Sequence, residues 1–161
     1  MLSSSVEIKE ITPGNFGLFA KTKISKGDLI WKLDTNEKQL TKEERDGLPE
    51  DIQKFAFQYQ DKFIVVHDGS QYMNHSCDPN TWWTADDELS ALRDINAGEE
   101  ITYDYSTADI GDWTASWKCN CGSPDCRQTI TGKDIIDKKL QEKYQGHLPS
   151  WSKVFIKDNL L

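Results

Sequence analysis

Three short stretches of this chain are unlike ordinary scaffold. Asn74-His75-Ser76-Cys77-Asp78-Pro79-Asn80 crowds polar and ionisable side chains between aromatic segments. Gly98-Glu99-Glu100-Ile101-Thr102-Tyr103-Asp104-Tyr105 sets two tyrosines either side of an aspartate, and in an extended strand both rings face the same way. Cys119-Asn120-Cys121-Gly122-Ser123-Pro124-Asp125-Cys126 is a C-x-C-x4-C cluster. Each has a bland reading as well: a capped loop, cross-strand tyrosine packing, a turn. With Cys77 the chain holds four cysteines, enough for two disulfides or one four-thiolate metal site. Residues 1–20 show no basic stretch followed by a long apolar segment, so a reducing compartment, cytoplasmic or nuclear, is expected. A reducing compartment and the strain of pairing cysteines so close together both favour the metal.

The surrounding sequence reads as short strands and short helices. Val6, Ile8 and Ile11 suggest a first strand, turned by Pro13-Gly14-Asn15 into Leu18-Phe19-Ala20. Lys26-Gly27 is a turn feeding a strand through Leu29-Ile30-Trp31. Thr41 with Glu44 has capping-box form and predicts a helix ended by Gly47. Pro49 opens a second helix, expected to carry Ile52, Phe55 and Ala56 inward. Further strands are expected at 63–66, 89–95 and 101–103, and an amphipathic helix at 133–145 with Ile136, Leu140 and Tyr144 on one stripe.

The chain has 161 residues, which is one domain's worth, with no internal repeat or long linker. Six Trp, six Phe and five Tyr are too many aromatics for a disordered chain. The longest apolar run, Phe63 to Val66, is too short to span a bilayer. Nineteen basic against 27 acidic residues give a net charge of −8, which disfavours non-specific binding to nucleic acid or anionic membrane. The same charge suits a Lys/Arg-rich partner, although acidity also simply keeps proteins soluble.

In this order and spacing, the three stretches resemble the SET-domain protein lysine methyltransferases. That family carries an N-H-S-C-x-P-N loop, a G-E-E-[LI]-x-[YF]-x-Y segment and a post-SET C-x-C-x4-C cluster, and all three occur here without a gap. The likeness covers at least residues 13–126, with Gly27-Asp28 fitting an early turn of the family. It implies a mainly β fold, the SET-domain or β-clip fold. Its short sheets come with a few short helices, a knot-like C-terminal threading and a C-terminal helix. The implied division is a catalytic SET core over 1–112, a post-SET zinc segment over 113–130 and a helical extension over 131–161.

The resemblance also implies chemistry. Cys77, Cys119, Cys121 and Cys126 are the expected ligands of one structural Zn²⁺ per chain, closed to water by its four thiolates. The methyl donor is S-adenosyl-L-methionine, with Asn15, Phe16, Gly17, Asn74 and His75 as its expected contacts. Tyr105 and Tyr103 are the expected catalytic residues. The Tyr105 hydroxyl would hold the amine or polarise the methyl group, being a poor base at its ordinary pKa near 10. A Tyr at position 103 favours mono- or dimethylation. The expected partner is a basic, lysine-bearing protein or peptide such as a histone tail, with no direct nucleic acid and no membrane.

The chain departs from the family at identifiable places. Asn15 stands where the first Gly of G-x-G is usual and is expected to adopt a left-handed backbone. Gln71-Tyr72-Met73 replaces Arg-Phe-[IL], removing one polar cofactor contact. The second aromatic wall of the lysine channel falls to Phe55, Phe57 or Tyr59, and Trp113 and Trp117 are either its roof or plain core. His67 and His147 read as structural. Two other classes compete: a catalytically silent SET module acting as a zinc-stapled protein-binding domain, and a structural zinc protein. The first is weakened by intact Asn74, His75 and Tyr105, and the second gives the tyrosine pair no purpose.

Overall fold

The computed structural model describes residues 1–34, 36–111 and 116–160. Trp113 lies outside them. The N-terminal hairpin forms as its turn residues dictate. β1 (Val6–Thr12) pairs antiparallel with β2 (Asn15–Ala20), and the reversal is taken by Gly14 at φ +78°. Asn15 therefore does not adopt the left-handed backbone expected of it; the neighbouring glycine does so without a Cβ clash.

The chain continues through β3 (Leu29–Lys32) and β4 (Gln39–Leu40) to α1 (Lys42–Asp46). The capping box is complete: Thr41 Oγ1 accepts from the Glu44 N–H at 3.2 Å, and Glu44 Oε2 accepts from the Thr41 N–H at 2.8 Å. α2 spans only Glu50–Gln53 and has no buried residue. Phe55 and Ala56 lie beyond it, because the chain has already turned into β5 (Ala56–Tyr59), which pairs with β6 (Lys62–Val65).

β7 (Asn74–His75), β8 (Thr81–Ala85), β9 (Glu88–Ala91) and β10 (Glu100–Tyr103) follow. The strand expected over 89–95 stops at Ala91, and Ile95 makes a single bridge to Ile24. The sheets are small: β1-β2-β10-β7, β3-β9-β8, β4-β6-β5, and the pair β11 (Trp117–Lys118) with β12 (Thr129–Ile130). Between them Leu18, Ile30, Ile64, Ile95, Ile101 and Ile135 are wholly buried, in one cluster with Trp31, Trp83 and Trp151. The mainly β architecture of short sheets and few helices is the expected one.

The C-terminal region departs from its amphipathic pattern. Instead of one helix over 133–145 there is a 3-10 turn at Asp134–Ile136 and then α3 (Lys138–Lys143). Asp137 explains the break: its side chain caps α3 by accepting from the Lys139 N–H at 2.7 Å. Ile135 rather than Ile136 takes the fully buried place, while Tyr144 is buried as the stripe requires. A longer helix, α4 (Ser150–Asn159), begins after Pro149 and sinks Trp151 and Ser152 into the core.

Candidate active site and metal centre

The parallel pairing of β7 with β10 builds the site. It sets Asn74 opposite Thr102 and His75 opposite Tyr103, so two stretches far apart in sequence share one ladder. Tyr105 is not in that strand. β10 ends at Tyr103, and Asp104 caps a 3-10 turn over Tyr105–Thr107 by accepting from the Ser106 N–H. The two rings nevertheless lie close, with centroids 4.9 Å apart. The Tyr105 hydroxyl donates to the Met73 carbonyl at 3.0 Å, and its backbone N–H donates to His75 Nδ1 at 3.1 Å.

That second bond fixes the histidine. With Nδ1 accepting, the ring proton sits on Nε2, which faces Cys77 Sγ at 3.3 Å. Burial lowers the His75 pKa to about 4, overriding the opposing pull of Asp104, so the ring is neutral near pH 7. Burial also pushes both Tyr103 and Tyr105 upward, and each stays a phenol that donates hydrogen bonds.

Both tyrosines open onto a cavity of about 360 Å³ with Trp31, Phe55, Phe57 and Trp83 among its walls. The aromatic wall left open among Phe55, Phe57 and Tyr59 is thus supplied by the first two. Tyr59 faces the core against Trp151, with centroids 5.5 Å apart. Trp117 is on the cavity side, its ring 5.9 Å from that of Tyr105. Of the two histidines read as structural, His147 stacks on Trp82 and bonds the Trp83 carbonyl.

A second polar cluster lies where β2, β7 and β10 meet. Asn74 Nδ2 donates to the Phe16 carbonyl at 3.0 Å and to Glu100 Oε1 at 2.8 Å. A Cβ on Gly17 would come within 2.8 Å of Glu100 Oε1 and 3.1 Å of Asn74 Nδ2, so only glycine lets β2 approach them unmoved. The rings of Phe16 and Tyr72 lie 5.1 Å apart beside it. A carboxylate, an amide and aromatic faces suit a cofactor that combines an amino-acid end with an adenine. Asn15, at the exposed start of β2, makes no bond to this cluster.

All four cysteines converge, unpaired by disulfides, with their sulfurs within 4.8 Å of one another. Cys77 and Cys119 sulfurs are 3.8 Å apart, which is about the edge of a tetrahedron with Zn–S bonds of about 2.3 Å. Backbone N–H groups of Arg127 and Gln128 point at Cys77 and Cys126 sulfur, each at 3.4 Å, as donors that support thiolates. The donor set fits one closed Zn²⁺ site.

Several residues here had no role assigned to them by the sequence. Asp104, wholly buried, accepts from Arg127 Nη2 at 2.6 Å, from Tyr144 Oη at 3.0 Å and from Ser106 Oγ at 2.7 Å. It ties the tyrosine turn to the cysteine segment and to the C-terminal extension. Asp109 lines the cavity beside Tyr103, and burial raises its carboxyl to about 6. Arg127 follows the last cysteine and Glu100 lies inside a conspicuous motif, yet only the tertiary contacts give them roles.

An aromatic cavity lined by two phenols, a polar cluster of an amide and a carboxylate, and four converging cysteines that fit one zinc together mark a group-transfer domain. The SET domain family matches residues 15–106, and the chain belongs to that family. It is 34% identical over 120 residues to a histone-lysine N-methyltransferase of Candida albicans named as H3 lysine-36 specific, covering 65% of this chain and 14% of that protein. A Homo sapiens protein of the same name is 29% identical over 165 residues, covering 88% of this chain and 6% of that one. The chain therefore spans a small part of the curated relatives it matches. A crystal structure of KRYPTONITE in complex with mCHG DNA and SAH shares the fold, with TM-score 0.59 and 19% identity over 80% of this chain and 29% of that chain. Among the described residues no helix is long and apolar enough to cross a membrane.

Proposed function

We propose that this domain methylates the ε-amine of lysine in a basic protein substrate, with S-adenosyl-L-methionine as donor. The observation that carries the reading is the aromatic-walled cavity that Tyr103 and Tyr105 line together. When bound, the donor supplies an electrophilic methyl group on a sulfonium, so the protein need only align the amine and favour its neutral form, its proton passing to solvent.

The chain's own residues suit that task. Phe55, Phe57, Trp31 and Trp83 exclude water from the lysine side chain, which disfavours its charged form. The Tyr105 proton is committed to the Met73 carbonyl, leaving the phenol oxygen to accept from the amine N–H and orient its lone pair. As a phenol held in its neutral form, Tyr105 acts by position and not as a base. Gly17, Phe16, Asn74 and Glu100 would hold the donor, and Asn15 contributes through the turn it helps to form. The His75 ring faces the cysteines, and its place opposite Tyr103 lets its backbone face the donor side. Zinc on Cys77, Cys119, Cys121 and Cys126 would be structural, docking the segment that carries Trp117 over the cavity.

The names of the relatives make a histone tail the substrate of choice, and the net charge of −8 suits its lysine-rich sequence. The domain division of SET core, zinc segment and helical extension is kept, with the last two tied to the first through Asp104. The test is transfer of labelled methyl from the donor to core histones and to histone-tail peptides. Tyr105→Phe should bind donor as the parent does and lose about 100-fold in transfer, as expected for a lost orienting contact. Wild-type rates in that variant would overturn the reading.

A further inference from the structure

Asp109 has no part in the scheme so far, yet it occupies the most informative position in the cavity. It is 9% exposed and sits just past the Tyr105–Thr107 turn. Its Oδ2 accepts from the Tyr103 hydroxyl and its Oδ1 from the Gln58 N–H, both at 3.4 Å. These are long bonds, and a carboxylate has about four acceptor positions. The same cavity carries the rings of Trp31, Phe57 and Trp83 and the cation Arg45, whose charge offsets only part of the burial cost of the carboxylate. Burying a carboxylate with so few short partners is costly, and a core built only for stability would not hold it there.

Resting on the methyl-transfer reading above, we infer that Asp109 docks the charged end of the target lysine and discriminates among its methylation states. The reason is a count of donors. An unmethylated ammonium has three N–H groups, and each methyl removes one until the trimethylated form has none. Aromatic walls attract all of these cations in a similar way, through the ring faces. Only a hydrogen-bond acceptor distinguishes them. Asp109 is the charged acceptor of the cavity, bonded to the Tyr103 hydroxyl, and it adds to the neutral Tyr105 oxygen in retaining amines that still carry N–H groups. Fully methylated amines meet a carboxylate they cannot bond and leave it desolvated. The domain therefore stops short of trimethylation through Asp109 acting together with Tyr103.

The test needs no turnover. Trp31, Trp83 and Trp117 lie on the cavity, so their fluorescence reports its occupancy. The parent chain is titrated with n-butylammonium and with N,N,N-trimethyl-n-butylammonium, the chain ends of lysine and trimethyllysine. It should prefer the first by about 10-fold, the value of a hydrogen bond to a charged group. Asp109→Asn and Asp109→Leu, shown folded by circular dichroism, should reduce that preference to about twofold or less. Equal affinities in the parent, no binding of either cation, or an undiminished preference in both variants would overturn the inference. Methyl transfer by the same samples separates the two readings. A parent that discriminates the cations but methylates no protein sinks the activity and upholds the docking role. Variants that methylate with the parent's product ratio sink the docking role alone.

Discussion

Removing the cation that Asp104 faces should destabilise the whole domain, not one loop. The carboxylate is wholly buried and accepts four hydrogen bonds, from Arg127 Nη2, Tyr144 Oη, Ser106 Oγ and the Ser106 N–H. Arg127→Met keeps much of the side-chain volume but strands that carboxylate, a defect of about 3–5 kcal/mol. For a domain of this size, about 2–4 °C of melting temperature is lost per kcal/mol, which predicts a fall of about 10 °C. Tyr144→Phe removes one bond to a charged acceptor, about 1.5–3 kcal/mol, or about 5 °C. Because the two groups share one acceptor, their effects should not add. Once Asp104→Asn has removed the charge, each further change should cost about half as much. Thermal melts of the singles, doubles and triple by circular dichroism measure this directly. An Arg127→Met variant melting within 2 °C of the parent, or strictly additive losses, would refute the claim that Asp104 is a shared electrostatic hub.

Asp109 gives a pH-dependent counterpart. Its carboxyl lies at about 6 when folded against an ordinary 3.8, so the folded state binds the proton more tightly. The sign is then set: below 3.8 the group is protonated in both states and costs nothing, and as pH rises from 3.8 through 6 it comes to weigh against folding by about 3 kcal/mol in all. Asp109→Asn should raise the melting temperature clearly at pH 8 and little at pH 4, and an equal gain at both pH values would refute the assignment. Metal analysis should find one zinc per chain in the parent and markedly less in Cys121→Ser. Chelation should lower the melting temperature and methyl transfer together, since Arg127 adjoins Cys126; full activity in a metal-free chain would exclude the docking role of zinc.

Much of the site could be read directly because its residues are contiguous in the chain. The capping box at Thr41 and the three chemical stretches rest on local spacing, and the four cysteines needed only to be counted. What escaped depends on contacts across the fold. Alternation placed Tyr105 in a strand with Tyr103, but the Asp104 side chain bonds the Ser106 N–H and ends the strand between them. The stripe over Ile136, Leu140 and Tyr144 reads as one helix, and Asp137 breaks it by capping the second half. No spacing rule chooses Phe55 and Phe57 over Tyr59: positions 57 and 59 share a face of β5, and what separates them is the neighbour met along the strand, Trp31 for Phe57 and Trp151 for Tyr59. Asp109 belongs to no motif, and only its burial beside Tyr103 distinguishes it.

The position of the last helix has a consequence for how the molecule comes into being. The Tyr105–Thr107 turn is covered from the C-terminal side: Ser152 Oγ donates to the Thr107 carbonyl, Trp151 Nε1 to the Ala108 carbonyl, and Tyr144 reaches Asp104. Every one of these partners is made by the ribosome at least 40 residues after the group it completes. During synthesis the sheets that hold Asn74 and Tyr103 can pair first, with the tyrosine turn still open to water. Long-range closures of this kind are slow steps in folding. A nascent chain thus passes through a stage with its sheets formed and its reaction chamber unfinished. Competence arrives only once the first turn of α4 has closed over the tyrosine turn.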